Sequence, residues 1–348
     1  MPGPNTRKAP LALTMGEPAG IGGEIALKAW RPGDTSVPVF FAIDDADRLA
    51  ALAIQIGVDT PVETIATPGE AAAVWARALP VLSQPLPARV EPGKPGAENA
   101  AAVISAIDTA VGMARNGDVA GLVTNPIQKK VLYEAGFRAA GHTEYLAELT
   151  GATAPPVMML AVPGLRVALV TIHLPLADAI AALTTEAIVE TATSVDAALR
   201  QDFSIAAPRL AIAGLNPHAG ESGSLGREEI DIISPAIDTL RRAGIDATGP
   251  FPADTMFHAD ARSGFDAAIC MYHDQGLIPL KTIDFHSGVN ITLGLSIVRT
   301  SPDHGTALDI AGSGQANPTS LLAALRAARD IADTRQARHE ATASSQRA

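Results

Sequence analysis

Short apolar, β-prone runs alternate with amphipathic stretches of helical period along almost the whole chain, and few folds accept that pattern. Leu11–Met15, Val37–Ile43, Val119–Thr124, Pro156–Ala161, Leu165–Thr171, Arg209–Gly214 and Ala267–Met271 read as buried strands. Between them, Val103, Ile107 and Val111 share one helical face, as do Ile188, Ala192, Val195 and Leu199. Ile230, Ile233, Ile237 and Leu240 form a third stripe, and Leu321, Leu325 and Ala328 a fourth. Strand–helix alternation predicts an α/β protein with α/β/α layers and a largely parallel sheet. Ligands of such sheets sit at the carboxyl ends of strands, where Gly-rich turns let the backbone come close. Most polar clusters of this chain directly follow a predicted strand.

At 348 residues the chain is long for one hydrophobic core, which suggests two lobes. Apolar residues make up 47% and charged residues 18%, enough apolar surface to fold without disulfides. The single Cys270 fits a reducing cytoplasm. A net charge of −11 argues against a general nucleic-acid binder, while permitting a local basic pocket for an acidic substrate. No stretch has the charge-free length of a membrane span and none at the start reads as a signal peptide, so a cytoplasmic location is expected. Pro80–Gly96 carries five prolines and reads as a surface connection. The first nine residues and roughly the last fifteen lack apolar periodicity and read as disordered.

The chemistry concentrates between Met271 and Gly314. His273, Asp274, Lys281, Asn290, Arg299 and His304 are interleaved there with glycines and short apolar runs. Such a mixture suits a site that holds a metal, an anion and a cofactor. Three histidines, His173, His218 and His273, stand just past predicted strands in polar turns. Neutral imidazoles ligate divalent metals, and three of them leave coordination positions for substrate. Their spacing matches no short ligand motif; ordinary hydrogen-bonded histidines near a surface would look the same. An Arg with a nearby Lys binds phosphate or carboxylate, and Lys281 and Arg299 flank the apolar run VNITLGL. GHTEYLAELT, Gly141–Thr150, reads as a turn entering a helix with Thr143 as N-cap, where backbone N–H groups attract an anion. His142 there is either a site residue or a neighbour of the cap. GEPAGIGGE, Gly16–Glu24, follows the first strand without the G-x-G-x-x-G spacing and reads as a tight turn, unassigned to any cofactor. No P-loop, nucleophile elbow or Cys-based zinc motif occurs.

The segments MGEPAGIGGEIA, TNPIQKKVLYEAG, GHTEYLAELT, TIHLPLAD, GLNPHAGESGSLGREE, GPFPADTMF, YHDQGLIPLK and GVNITLGLSIVRTSPDHGTALDIAG together closely resemble the 4-hydroxythreonine-4-phosphate dehydrogenases of pyridoxal 5′-phosphate (vitamin B6) biosynthesis. The likeness runs in order from about Leu11 to Leu325. It implies a fold like that of isocitrate and isopropylmalate dehydrogenases, two α/β/α lobes around a cleft. The first lobe would be residues 1–125 plus 298–335, the second 126–297, and 336–348 a disordered tail. It further implies a homodimer whose metal site is completed across the subunit interface, with His173, His218 and His273 as ligands. His142, Thr143, Lys281, Asn290 and Arg299 match substrate-binding positions, and Asp254 and Asp274 fall where the family keeps acidic residues beside the metal. His304, Gly305, Thr306, Ala307 and Asp309 match an adenosine-binding loop for NAD or NADP, which would replace a Rossmann fingerprint. Gly23, Gln128, Ser224-Leu225 and Ser296 depart from the family's usual residues, and none of them is a proposed ligand.

The reaction so implied is metal-assisted oxidation of the C3 hydroxyl of a phosphorylated amino acid, followed by loss of CO₂. Lys281, Asp254 or a metal-bound water would serve as base. Three histidines suit Zn²⁺, with Co²⁺, Mn²⁺ or Mg²⁺ as alternatives. Other substrates fit the same residues: threonate or erythronate 4-phosphate, or a terephthalate cis-dihydrodiol. A metal-dependent phosphohydrolase and a catalytically silent metal-binding protein are readings of other classes. The DHGTALDIAG loop speaks against the first, and the Lys281, Asn290 and Arg299 set against the second.

Overall fold

The computed structural model describes residues 8–139, 141–153 and 155–345. The chain divides into two compact units, residues 1–154 with 295–332 and residues 155–294 with 333–348. Among the described residues the seven expected strands are present, with five more that the alternation did not single out.

In the first unit β1 (Leu11–Thr14), β2 (Phe40–Asp44), β3 (Val62–Ile65), β4 (Leu79–Ser83), β5 (Gly121–Thr124) and β12 (Arg299–Pro302) lie in the order β3-β4-β2-β1-β5-β12. All its pairings are parallel. The chain runs outward from β1 through β2 and then returns to β5 on the other side, so β1/β5 is the switch point at which such sheets bind ligands. β1 is buried at all four positions. Ala12 joins a core with Val103, Ile107 and Val111 of the helix Ala100–Asn116, while Leu11 and Leu13 point to the opposite face. A parallel strand buried on both sides is the reason these runs read as continuous apolar stretches.

In the second unit β6 (Val157–Val162), β7 (Leu165–Leu169), β8 (Arg209–Ala213), β9 (Asp246–Phe251), β10 (Ala267–Cys270) and β11 (Val289–Leu293) lie in the order β11-β6-β7-β10-β8-β9. β6 runs antiparallel to both its neighbours, and the β7-β10-β8-β9 part is parallel. The stripe Ile188, Ala192, Val195 and Leu199 is buried along the helix Thr185–Phe203, as its period predicts.

Four expectations are corrected. Pro80 is buried within β4, whose first three residues are all buried, so only the residues after that strand connect elements. Ile230 is 43% exposed, because Glu229–Ile233 is a π-turn that rotates it off the face shared by Ile233, Ile237 and Leu240. Residues 126–154, expected in the second lobe, fold with the first. The helix His142–Thr150 packs on Ala100–Asn116 there, Tyr145 Oη donating to Asp108 at 2.6 Å and Arg115 to the Leu149 carbonyl at 3.0 Å. The presumed tail is helical: Thr319–Ser345 is one helix, and residues 333–345 group with the second unit. Polar residues hold this end down rather than an apolar stripe. Arg335 donates to both oxygens of buried Asp202 at 2.7 and 2.9 Å, and Arg338 to the Arg200 carbonyl. Of the expected N-terminal disorder, residues 1–7 lie outside the described residues.

Removing one partner of a buried, bidentate pair leaves the other charge uncompensated. Asp202→Ala is expected to lower unfolding stability by about 3 kcal/mol. It should also raise amide exchange over residues 333–345, both readable by denaturant titration and exchange mass spectrometry. Unchanged protection there would show that the pair does not hold the helix.

Candidate active site

In the first unit the polar groups gather at the β1/β5/β12 strands. Arg299, at the start of β12, is buried, and its Nε and Nη2 donate to Thr124 Oγ1 at the end of β5, at 3.2 and 2.7 Å. Desolvation lowers its pKa to about 10, against a partial counter-effect of the Glu144 carboxylate. His142 opens its helix. Its Nε2 is shielded from solvent with no hydrogen-bond partner, and burial, then the Arg299 and Lys129 charges, hold its pKa well below the usual histidine value. A desolvated cation beside a neutral, unsatisfied imidazole is an arrangement that an anionic, hydrogen-bonding ligand relieves. The expected N-cap is corrected: Gly141 caps the helix and Thr143 lies in its first turn.

The loop after β12 carries His304, Gly305, Thr306, Ala307 and Asp309 in irregular backbone, with Ala307 at φ 42°. His304 Nδ1 lies 3.0 Å from the Gly305 carbonyl, and its Nε2 is shielded and without a partner. The turn Gly16–Ile21 packs against this loop, with Ile21 N–H donating to the Thr306 carbonyl at 3.0 Å. Burial raises the pKa of Glu17 in that turn, and the Ala19 N–H donates to its Oε1 at 3.0 Å.

In the second unit the three parallel strands β7, β10 and β8 are adjacent, and each runs directly into one of the predicted metal ligands. His173 and His273 come together, with ring centroids 5.9 Å apart. Both line a cavity of about 280 Å³ with Tyr272 and Asp274. Asp274 Oδ1 lies 2.7 Å from His273 Nδ1. A proton on Nδ1 then points to the carboxylate and leaves the Nε2 lone pair open, the usual disposition of a metal-ligating histidine. A second cavity, of about 410 Å³, shares Tyr272 and Asp274 and adds Asp254, so the two predicted acidic residues meet there. Lys281, on the helix His273–Ile283, holds its ammonium 5.7 Å above the Phe285 ring. Asn290 sits in β11 with a shielded Oδ1 that has no partner.

His218 is placed differently. It is exposed on the loop Pro217–Gly223, with Nδ1 3.8 Å from Glu221 Oε2. Among the described residues no three His, Cys, Asp or Glu side chains converge into a metal-holding group. The loop is nevertheless built: His218, Ala219, Glu221 and Ser222 all take positive φ, a run that L-residues adopt only under constraint. Buried Glu229 fixes the residues that lead into this run. Its Oε1 accepts from the N–H groups of Leu215 and Asn216 at 2.8 and 2.7 Å, and its Oε2 from Asn216 Nδ2 at 2.9 Å. Gln275 ties the loop base to β10, donating to the Gly214 carbonyl at 2.6 Å and accepting from Met271 N–H at 2.7 Å. Glu229 and Gln275 are the residues that reading by chemistry missed. Their signal was present only as the acidic pair in GREE and the polar residue inside YHDQG.

A sequence model of the family described as pyridoxal phosphate biosynthetic protein PdxA matches residues 36–328. The chain belongs to the PdxA family. It is 55% identical over 94% of its length to a 4-hydroxythreonine-4-phosphate dehydrogenase of Caulobacter vibrioides, covering 98% of that protein. It is also 55% identical to one of Maricaulis maris, over 95% of this chain and 99% of the relative. A crystal structure of 4-hydroxythreonine-4-phosphate dehydrogenase from Klebsiella pneumoniae superposes with a TM-score of 0.84 at 38% identity, covering 94% of this chain and 99% of that one. This PdxA family member is therefore an enzyme of the oxidoreductase class, with the α/β architecture that the alternation predicts, divided into two compact units.

Since the folded-state pKa of His142 is depressed below the unfolded value of about 6.5, native protein binds fewer protons than unfolded chain once pH drops below that value. Stability falls as pH falls through that range, by up to about 1.4 kcal/mol per pH unit. His142→Gln should flatten the dependence of Tm on pH between about 5 and 6.5 while leaving the slope above about 7 unchanged. Parallel curves over the whole range would count against a buried neutral imidazole.

Proposed function

We propose that this PdxA family member oxidises 4-phosphohydroxy-L-threonine to 2-amino-3-oxo-4-phosphooxybutanoate with NAD or NADP and a divalent metal. The product then loses CO₂ to give 3-amino-2-oxopropyl phosphate, a step of vitamin B6 biosynthesis. The observation that carries the reading is the buried Arg299 guanidinium beside the shielded, unpartnered His142 Nε2, in a chain of this family. The relatives' names supply the substrate, and these desolvated groups are of the kind that its phosphate and carboxylate satisfy.

Arg299 and Lys281 supply the positive charge for the two anionic ends, Arg299 as a donor fork and Lys281 as a point charge. His142, Thr143 and Asn290 add hydrogen bonds that fix orientation. Metal ligation by His173, His218 and His273 is supported by the paired rings of the first and last, by the Asp274 contact, and by the loop that Glu229 shapes around His218. All three donors are nitrogens, which favours Zn²⁺, with Co²⁺, Mn²⁺ or Mg²⁺ as alternatives. A cation held there would supply Lewis acidity to the substrate oxygen, which is negative once its proton is lost and again in the enolate that decarboxylation leaves. Asp274, engaged with His273, orients that ring, leaving Lys281 and Asp254 to take the C3 hydroxyl proton. His304, Gly305, Thr306, Ala307 and Asp309 hold the dinucleotide that accepts the hydride.

The functional assembly in this reading is a homodimer whose metal ligands are completed across the interface between copies. The second unit exposes large apolar side chains that its own fold leaves uncovered. Phe285 is 70% exposed and Ile278 64%, with Leu174, Leu176 and Leu225 close behind. Apolar side chains of this size in the open are what an obligate interface covers.

Incubation with 4-phosphohydroxy-L-threonine and NAD or NADP is expected to reduce the nicotinamide in a metal-dependent way, followed by its near-ultraviolet absorbance. Chelator should abolish the signal and a divalent cation restore it. Reduction with threonate 4-phosphate or a dihydrodiol dicarboxylate alone would move the enzyme to another substrate. Phosphate release without any nicotinamide would replace the reaction class. His218→Ala changes an exposed side chain and should leave the fold intact. It is expected to abolish tight metal binding in equilibrium dialysis and to cut turnover at least about a hundredfold. Wild-type metal affinity in that variant would remove His218 from the ligand set.

A further inference from the structure

We infer that Glu24 and Lys28 are positioning residues for the dinucleotide, holding the loop 304–316 in its working shape through that loop's main chain. The inference rests on the reading of this loop as the dinucleotide site. It also gives a role to the motif GEPAGIGGE, which sequence alone leaves as a turn.

The loop makes few hydrogen bonds within itself. Ile310 and Ser313 N–H groups close short turns onto the carbonyls of Ala307 and Ile310, Ser313 Oγ links the Ile310 carbonyl to the Gln315 N–H, and His304 Nδ1 lies beside the Gly305 carbonyl; the longer-range ties come from outside the loop. The helix Gly22–Ala29 provides most of them. Lys28 Nζ donates to the Gly314 and Ala316 carbonyls at 2.7 and 2.8 Å, and to Glu24 Oε1 at 2.8 Å. All three protons of the ammonium are thereby used. Glu24 is 0% exposed, and the same Oε1 accepts from the Ala316 N–H at 2.8 Å. One carboxylate and one ammonium thus close on both main-chain groups of Ala316 and on its neighbour but one.

The preceding turn grips the other end of the loop. Ile21 N–H donates to the Thr306 carbonyl at 3.0 Å, and a Cβ on Gly20 would come within 2.9 Å of that same oxygen. Gln55 Nε2 adds a bond to the Gly312 carbonyl at 2.9 Å. Ala307 and Asp309 therefore lie between two anchored points. A buried charge pair is a costly way to fasten a loop, and hydrophobic contacts would serve for stability alone. What the pair adds is direction: Lys28 addresses two particular main-chain oxygens and Glu24 one particular main-chain N–H, and together they fix the backbone path that the cofactor must meet. A loop ordered in advance does not have to be ordered on binding, and that saving appears as affinity.

The test uses the full-length enzyme. Lys28→Met leaves Glu24 buried beside a neutral group and risks misfolding, so the principal variant is the double change Glu24→Gln/Lys28→Met, which removes both charges together. Dinucleotide Kd by equilibrium titration without substrate is expected to rise about tenfold or more, with its KM rising in parallel. Kcat and the KM for the phosphorylated substrate should stay within about twofold, and Lys28→Arg should recover most of the dinucleotide affinity. Amide exchange over 304–316 should speed up in the unliganded double variant. Unchanged dinucleotide Kd overturns the inference, and so does an equal loss toward dinucleotide and substrate, which would mark a merely structural role. Glu24→Gln alone should show a smaller shift in the same direction, and its absence is equally fatal. Wild-type protein answers the separate question of the loop: if dinucleotide gives residues 304–316 no added protection, the site itself is elsewhere, and the inference falls for that reason and not for a failed clamp.

Discussion

A parallel strand covered on both faces has no room for chemistry along its length, and the layout of this enzyme follows from that. β1 and β5 are buried at every position, as is β10 in the second unit, so polar side chains are driven to the strands' carboxyl ends. There the backbone leaves the sheet and its N–H and carbonyl groups need new partners. Thr124, Glu17, His173, His218 and His273 all stand at or just after such ends. The order β7-β10-β8 brings three histidine-bearing exits side by side, although 45 and 55 residues separate them in sequence. Neighbouring strands lie about 4.8 Å apart, so adjacency in the sheet is what makes His173 and His273 neighbours.

Desolvation then sets the electrostatics. Arg299 and His142 both pay for burial, one by a lowered guanidinium pKa and the other by remaining neutral. Buried polar atoms without partners are uncommon in folded proteins, and His142 Nε2, Asn290 Oδ1 and His304 Nε2 are three of them, each on a residue to which the family resemblance gives a ligand. The same economy explains the supports. Glu229 and Glu24 are buried carboxylates that each use one oxygen, Oε1, to accept from main-chain N–H groups of a neighbouring loop, and each thereby fixes a backbone path.

The errors of expectation share a cause. Periodicity registers apolar side chains, and it fails where polar groups or unusual backbone do the holding. The helix end at 333–345 looked disordered because an arginine–aspartate pair, not an apolar stripe, fastens it. Ile230 left its stripe because a π-turn changes the residue count per turn. Pro80 looked like a breaker, yet β4 accommodates it within a parallel pair with β3. Residues 126–154 changed lobes because no shift in composition marks a boundary there, while the contact of Tyr145 with Asp108 does.

The sequence by itself determined the α/β class, most of the strands, the family and the identity of the chemical groups, because burial and strand–helix period are local properties written residue by residue. It also carried the histidines, the Lys281–Arg299 span and the loop at 304 as separate signals. Only the tertiary structure decided which of these meet. His173 joined His273 while His218 stayed apart on a left-handed loop, and Asp254 came to share a cavity with Asp274. It alone turned GEPAGIGGE from a tight turn into the anchor of a loop some 290 residues away, through the contact of Glu24 with Ala316. Contacts at such separation depend on strand order and on the path of the backbone between buried elements, and neither is encoded in any one segment.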